Sequence, residues 1–137
     1  MVGIVVVTHG QLAKELISAV NFVLSSSPSV KMVGVSLDPD REFETFKQDI
    51  KNAIKKVKEK DGILLVTDMF GGTPSNISLT FLEENKVEVV SGVNLPMLLK
   101  LATLKDSVTL EEAVKTAESA GRENIIVASR LLQDRNT

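Results

Sequence analysis

The chain has 137 residues, of which 43% are hydrophobic and 25% are charged, values typical of one globular domain. Sixteen Lys and Arg residues against 18 Asp and Glu residues give a formal net charge of −2, which disfavours nucleic-acid binding. The absence of cysteine excludes disulfides, thiolate nucleophiles and cysteine-bound metals. Without a signal-peptide pattern, or an apolar run near the roughly 18 residues of a membrane span, we predict a soluble cytoplasmic protein.

Strands and helices alternate along the predicted chain. A β-branched run that stops at Thr8 predicts a first strand covered on both faces, and helical spacing of apolar residues then predicts a helix that ends in the serine-rich segment 25–29. Residues 30–36 predict an edge strand. The apolar stripe of residues 43–57 predicts a second helix, and we interpret the lysines on its other faces as a solvated surface rather than an anion-binding patch.

The second half of the chain continues this alternation. Residues 63–66 predict a third, buried strand and residues 87–90 a fourth, each followed by a helix. The first of these two helices is expected to carry Phe81 and Leu82, and the second to lie around residues 97–102.

The end of the chain predicts one more helix and a short strand. Thr109 and Glu112 have the spacing of a capping box at a helix start, and Gly121 is expected to end that helix. We predict a last strand at residues 125–128. One domain then covers residues 1–130, and residues 131–137 form a polar tail.

Repeated strand–helix units predict a doubly wound α/β fold with four parallel strands in the order 2-1-3-4 and helices on both faces. In this topology the connections leave strands one and three in opposite directions. A crevice therefore opens between the carboxyl ends of these two strands, and we expect ligand chemistry there.

The only histidine of the chain ends strand one, and an aspartate follows strand three. Neighbouring strands lie about 4.8 Å apart, so the carboxylate of Asp68 can reach a ring nitrogen of His9. A carboxylate that holds one ring N–H leaves the lone pair of the other nitrogen free for nucleophilic attack near neutral pH. The alternative is a purely structural His9 that pairs with a nearby acid or caps a helix.

The glycine-rich segment after Asp68 indicates a phosphate site. Gly71 and Gly72 offer backbone N–H groups without side chains in the way, Thr73 offers a hydroxyl at the expected N-cap, and Pro74 suits a first helical turn. Helix N-termini attract anions. These residues favour covalent phosphate on a histidine without a metal or cofactor, since metal-ligand combinations and Walker-type loops are missing from the sequence.

Three further residues are candidates for the same site. Thr8 ends strand one, Phe70 follows strand three, and Asn94 lies in the loop after strand four. Phe70, together with Met69, is expected to dock partner proteins if its ring points outward, or to pack in the core if it points inward. Asn94 either donates a hydrogen bond to the site or only forms a strand-to-helix turn.

Three segments in this order resemble the IIA components of the mannose/fructose/sorbose family of the bacterial sugar phosphotransferase system: VVVTHG, TDMFGGTPSN and SGVNLPMLLKL. The resemblance covers nearly the whole chain, including GRENI near its end. It implies a phosphotransferase that accepts a phosphoryl group on His9 from the phosphocarrier protein HPr. The group then passes to the IIB component, for sugar uptake through the membrane components IIC and IID.

The resemblance also implies roles for individual residues. Asp68 is the expected partner of the histidine, and the phosphate-binding helix start is expected at Gly71, Gly72 and Thr73. The family fold adds an antiparallel strand to the four parallel strands, and members form homodimers in which this C-terminal strand can be exchanged. In this chain it would correspond to residues 124–129. The phosphotransfer subunit of dihydroxyacetone kinase and a purely regulatory phosphorylated module remain alternatives. The sugar and the phosphorylated ring nitrogen stay open.

Overall fold

The computed structural model describes residues 1–26 and 28–136, with side chains up to residue 133. A four-stranded parallel sheet lies between two helical layers, and its strands are β1 (Gly3–His9), β2 (Met32–Leu37), β3 (Ile63–Thr67) and β4 (Val87–Ser91). The helices are α1 (Leu12–Leu24), α2 (Phe43–Val57), α3 (Thr73–Leu79), α4 (Leu95–Ala102), α5 (Leu110–Glu123) and α6 (Ala128–Asn136). Among the helices described, each is too short or too polar to cross a bilayer.

The strand order is β2-β1-β3-β4, which confirms the predicted doubly wound arrangement of four parallel strands. β1 pairs with both of its neighbours, and its register places Val7 opposite Thr67 of β3 and His9 opposite Leu37 of β2. The carboxyl ends of three strands therefore lie at one edge of the sheet. The residues that follow these strands meet there.

The unbroken valine run of β1 has a packing explanation. Alternate residues of a strand point to opposite faces, and both faces of this sheet are covered. Ile4 and Val6 pack in the core formed with α1, α4 and α5, while Val5 and Val7 pack in the core formed with α2 and α3. All four side chains are fully buried. β1 therefore holds its last residue, His9, on a rigid support.

Two helix predictions need correction. Helix α3 ends at Leu79, so Phe81 and Leu82 lie beyond it. Helix α5 begins as expected, with the N–H of Glu112 donating to the hydroxyl of Thr109 at 3.2 Å, but it continues past Gly121. A Cβ at Gly121 would lie 2.9 Å from Cε of Met97 in α4. This glycine therefore permits close packing of two helices rather than ending one.

The predicted C-terminal antiparallel strand is wrong for this chain taken alone. Residues 125–127 have no regular secondary structure, and α6 begins at Ala128. Strands are held by pairing with a neighbour, and within the described residues this segment pairs with none. Residues 131–136, predicted as a polar tail, continue α6, and Thr137 lies outside the described residues. No change of structure marks the predicted boundary at residue 130.

Candidate functional site

His9 and Asp68 contact each other at the carboxyl edge of the sheet. Nδ1 of His9 lies 2.8 Å from Oδ2 of Asp68, and the backbone N–H of His9 donates to the same oxygen at 3.0 Å. The backbone N–H of Met69 donates to Oδ1 at 3.0 Å. His9 is the last residue of β1, Asp68 directly follows β3, and these two strands pair with each other. The structure thus brings together the two residues that the sequence predicts as partners.

The contact with Asp68 determines which nitrogen of His9 is free. Partial burial alone would raise the pKa of the Asp68 carboxyl, but the hydrogen bonds from the backbone and ring of His9 and from the N–H of Met69 lower it below its ordinary value. Asp68 is therefore ionised at neutral pH and can only accept hydrogen bonds. Nδ1 carries the proton, and Nε2 keeps a lone pair on a side chain that is 48% exposed.

Gly72 packs against the imidazole ring. A Cβ at this position would lie 2.9 Å from Cε1 and 3.4 Å from Nε2 of His9. The preceding Gly71 has φ +90°, a conformation that favours glycine, and it turns the chain toward the start of α3. The free nitrogen of His9 therefore faces the backbone of the glycine-rich loop.

The start of α3 differs in detail from the sequence prediction. Gly72 is the N-cap, and Thr73 and Pro74 are the first two helical residues. Because Thr73 lies one position later than expected, its hydroxyl does not cap the helix. Among the described residues, the N–H groups of Gly71, Gly72 and Thr73 donate to no protein acceptor. These three N–H groups are therefore free to bind an anion. The case for an anion site rests on these hydrogen-bond donors and not on the dipole of α3, which has only seven residues.

A cavity of about 380 Å³ opens beside His9 and is lined by Thr73 on one side. The loop between β2 and α2 lines the other side, a contribution that the sequence analysis did not include. The strand order makes this contribution predictable. Because β2 is parallel and adjacent to β1, the loop that follows β2 must lie at the same edge of the sheet as His9. The lining residues on this side include Asp38 and Arg41 of the loop and Phe43, the first residue of α2. The guanidinium of Arg41 forms an ion pair with Asp49 of α2, which offsets its charge.

The three additional candidates have different surroundings. Thr8 is fully buried, and its hydroxyl accepts the N–H of Ala13 at 2.8 Å, so it joins β1 to the start of α1. Asn94 caps α4 by accepting from the N–H of Met97 at 3.0 Å, and its amide donates to the carbonyl of Gly121 at 2.9 Å. Neither side chain forms a hydrogen bond with His9.

Phe70 points outward and is 75% exposed, and its neighbour Met69 is 55% exposed. Inward packing of Phe70 is therefore wrong. The outward orientation leaves both apolar side chains available at the rim of the crevice, and their contact with partner proteins stays a prediction.

Comparisons with known proteins point to one family. The family model described as the PTS system fructose IIA component, EIIA-man, matches residues 3–118. The fructose-specific EIIA component of Bacillus subtilis (strain 168) is 23% identical over 134 residues, which cover 97% of this chain and 90% of that protein. The mannose-specific EIIAB component of Escherichia coli (strain K12) is 29% identical over 126 residues, or 90% of this chain and 38% of that longer protein.

Solved structures have the same fold. Phosphotransferase system component EIIA from Streptococcus agalactiae superposes with a TM-score of 0.83 at 22% identity, covering 95% of this chain and 99% of that one. The PTS IIA protein associated with the fucose utilization operon from Streptococcus pneumoniae has a TM-score of 0.80 at 25% identity, covering 96% of both chains. Together with the match over residues 3–118, these findings show that the chain belongs to the mannose/fructose/sorbose-type IIA components of the sugar phosphotransferase system.

Proposed function

We propose that Nε2 of His9 accepts the phosphoryl group from phosphohistidine on HPr and passes it to a IIB component. The observation that carries this proposal is the 2.8 Å hydrogen bond between Nδ1 of His9 and Asp68, which leaves Nε2 as the nucleophile. The name of the E. coli relative joins an A and a B component, and this supports a B component as the receiving partner.

The transfer to His9 needs no reactant other than the phosphohistidine of HPr. The lone pair of Nε2 attacks phosphorus, the P–N bond to the donor histidine breaks, and its electron pair returns to the donor ring. The proton on Nδ1 stays in its hydrogen bond with Asp68, which offsets the positive charge that develops on the imidazole. Transfer onward to IIB repeats the same step with His9 as the leaving group.

The loop beside His9 offers hydrogen-bond donors to the negatively charged oxygens of the transferred phosphoryl group. Phosphoryl transfer depends mainly on positioning and on stabilising charge at the phosphoryl oxygens. The unpaired N–H groups of Gly71, Gly72 and Thr73 supply donors without a full positive charge. A relay gains from such moderate donors, because a site that binds its phosphoryl group too tightly slows its departure.

Incubation with phosphoenolpyruvate, enzyme I and HPr tests the proposal. We expect one acid-labile, base-stable phosphate per chain, and since the chain has a single histidine the label must be on His9. Addition of a IIB component should then remove the label. Labelling that survives His9→Ala would contradict the assignment, and a label that IIB cannot remove would favour a regulatory module instead.

We further propose that the chain forms a homodimer through its C-terminal segment. This segment exposes three consecutive apolar side chains, with exposed fractions of 77% for Ile125, 58% for Ile126 and 49% for Val127. Because they are consecutive, they form one continuous apolar surface, whereas single exposed apolar residues are ordinary on protein surfaces. Ile125 also lines a groove of about 460 Å³ beside the edge strand β4. A second copy can cover this segment and pair with the edge strand.

Sedimentation equilibrium at micromolar concentration checks the dimer. Wild-type protein is expected to have the mass of two chains, and Ile126→Asp that of one, because a buried carboxylate in the interface would be costly. Phe22→Asp is the matched control, since Phe22 is 87% exposed on α1, a helix that packs against β1, β2 and α4. A monomeric wild type, or equal effects of both substitutions, would show that this surface is not the interface.

A further inference from the structure

Three hydroxyl groups meet behind the site. Oγ1 of Thr67 lies 2.6 Å from Oγ of Ser91, and Oγ of Ser75 lies 3.4 Å from the same Ser91 oxygen. Thr67 and Ser75 are fully buried, and Ser91 is partly buried. We call these three residues the hydroxyl cluster. It joins the ends of β3 and β4 to the first turn of α3.

The hydroxyl cluster lies next to both groups that hold His9. Thr67 directly precedes Asp68, and its carbonyl accepts the N–H groups of Gly92 and Val93, each at 3.0 Å. The loop after β4 thus fixes the last residue of β3 through its backbone and, at Ser91, through a side chain. Ser75 lies three residues after Gly72, at the start of the helix whose N-cap contacts the imidazole.

Within the described residues, the hydroxyls of Thr67 and Ser75 form side-chain hydrogen bonds only with Ser91. Buried hydroxyls without partners are unfavourable, and neighbouring hydrogen bonds strengthen each other. Loss of the central Ser91 hydroxyl therefore leaves two buried groups unpaired. A shift of the end of β3 or of the start of α3 would relieve this.

We propose that Thr67, Ser75 and Ser91 are positioning residues that hold Asp68 and Gly72 against His9. The proposal rests on the proposed function, because positioning affects a transfer rate only if His9 is the phosphoryl acceptor. It also assigns a role to the segment SGVNLP. In that segment, the side chain of Asn94 caps α4, whereas the side chain of Ser91 contacts Thr67 and Ser75 next to the site.

Ser91→Ala tests this role with two measurements. In the phosphorylation assay we expect kcat to fall about tenfold while KM for phospho-HPr stays unchanged, because Ser91 lies behind the site and not on the docking side. In nitrogen-15 NMR of the unphosphorylated protein, the wild-type imidazole should show a proton fixed on Nδ1. The variant should show an exchanging mixture of tautomers, because Asp68 is less firmly held.

Two further variants separate positioning from general packing. Ser91→Thr keeps the hydroxyl at a partly exposed position and should restore both the rate and the Nδ1 tautomer. Ser78→Ala is the matched control, because Ser78 is a fully buried serine of α3 whose hydroxyl, among the residues described, donates only to the carbonyl of Pro74, at 2.7 Å. It should leave kcat and the tautomer at wild-type values. Thermal unfolding establishes that each variant is folded at the assay temperature.

Wild-type values of kcat and tautomer in Ser91→Ala would overturn the proposal, as would an equal loss in Ser78→Ala. A wild-type protein that takes no phosphate from HPr would instead overturn the proposed function. The NMR comparison does not depend on phosphorylation, so it still decides whether the hydroxyl cluster positions Asp68 against His9.

Discussion

Asp68→Asn is expected to lower the rate of phosphoryl acceptance by roughly 10²- to 10⁴-fold while the protein stays folded. The asparagine amide can donate a hydrogen bond to Nδ1 of His9, which favours the tautomer with the proton on Nε2. The nitrogen that faces Gly72 then has no lone pair for attack on phosphorus. Rapid-quench measurement of label transfer from phospho-HPr gives the rate, and NMR of the imidazole nitrogens gives the tautomer.

Asp38→Asn is the matched control for this substitution. Asp38 lines the cavity beside His9 but accepts a hydrogen bond from Gln11, at 3.1 Å, and not from His9. A near-wild-type rate is expected for this control. A normal rate in Asp68→Asn, or equal losses in both variants, would mean that the carboxylate does not select the tautomer and that the effect is one of charge near the cavity.

The pairing of His9 with Asp68 could be predicted from sequence because it depends on a local rule. Each residue lies at the end of a short, fully buried strand, and parallel strands bring their carboxyl ends to one edge of the sheet. The same rule places the loop with Asp38 and Arg41 at this edge. The composition of that loop, however, indicates only a turn and the start of a helix, and no ligand chemistry.

The features that sequence could not supply depend on contacts between distant elements. Gly121 looks like a helix stop, but it lies inside α5, where its missing side chain leaves room for the tip of Met97 of α4. The hydroxyl cluster is equally non-local, since Ser91 is ordinary until β4 is placed beside β3. The apolar residues 125–127 have strand character, but a strand needs a pairing partner that the chain alone does not provide.

Gly72→Ala is expected to reduce phosphoryl acceptance by roughly 100-fold or more, because displacement of reacting groups by about 1 Å costs that much. The new Cβ would lie 2.9 Å from Cε1 of His9, so the ring must tilt and Nε2 must move away from the loop amides. The backbone accepts alanine readily, since φ of Gly72 is −85°. The rate is measured with phospho-HPr, and stability by thermal unfolding.

Gly121→Ala separates the effect of a misplaced imidazole from that of any added methyl group. Its Cβ would make an equally close contact of 2.9 Å, but with the flexible tip of Met97, and alanine is favoured over glycine inside a helix. We expect a wild-type rate for this control. Because His9 is half exposed, its ring can tilt in Gly72→Ala with little loss of stability, so the rate should fall while the unfolding temperature barely changes. A wild-type rate in Gly72→Ala would mean that the phosphoryl group does not bind between the ring and the glycine-rich loop.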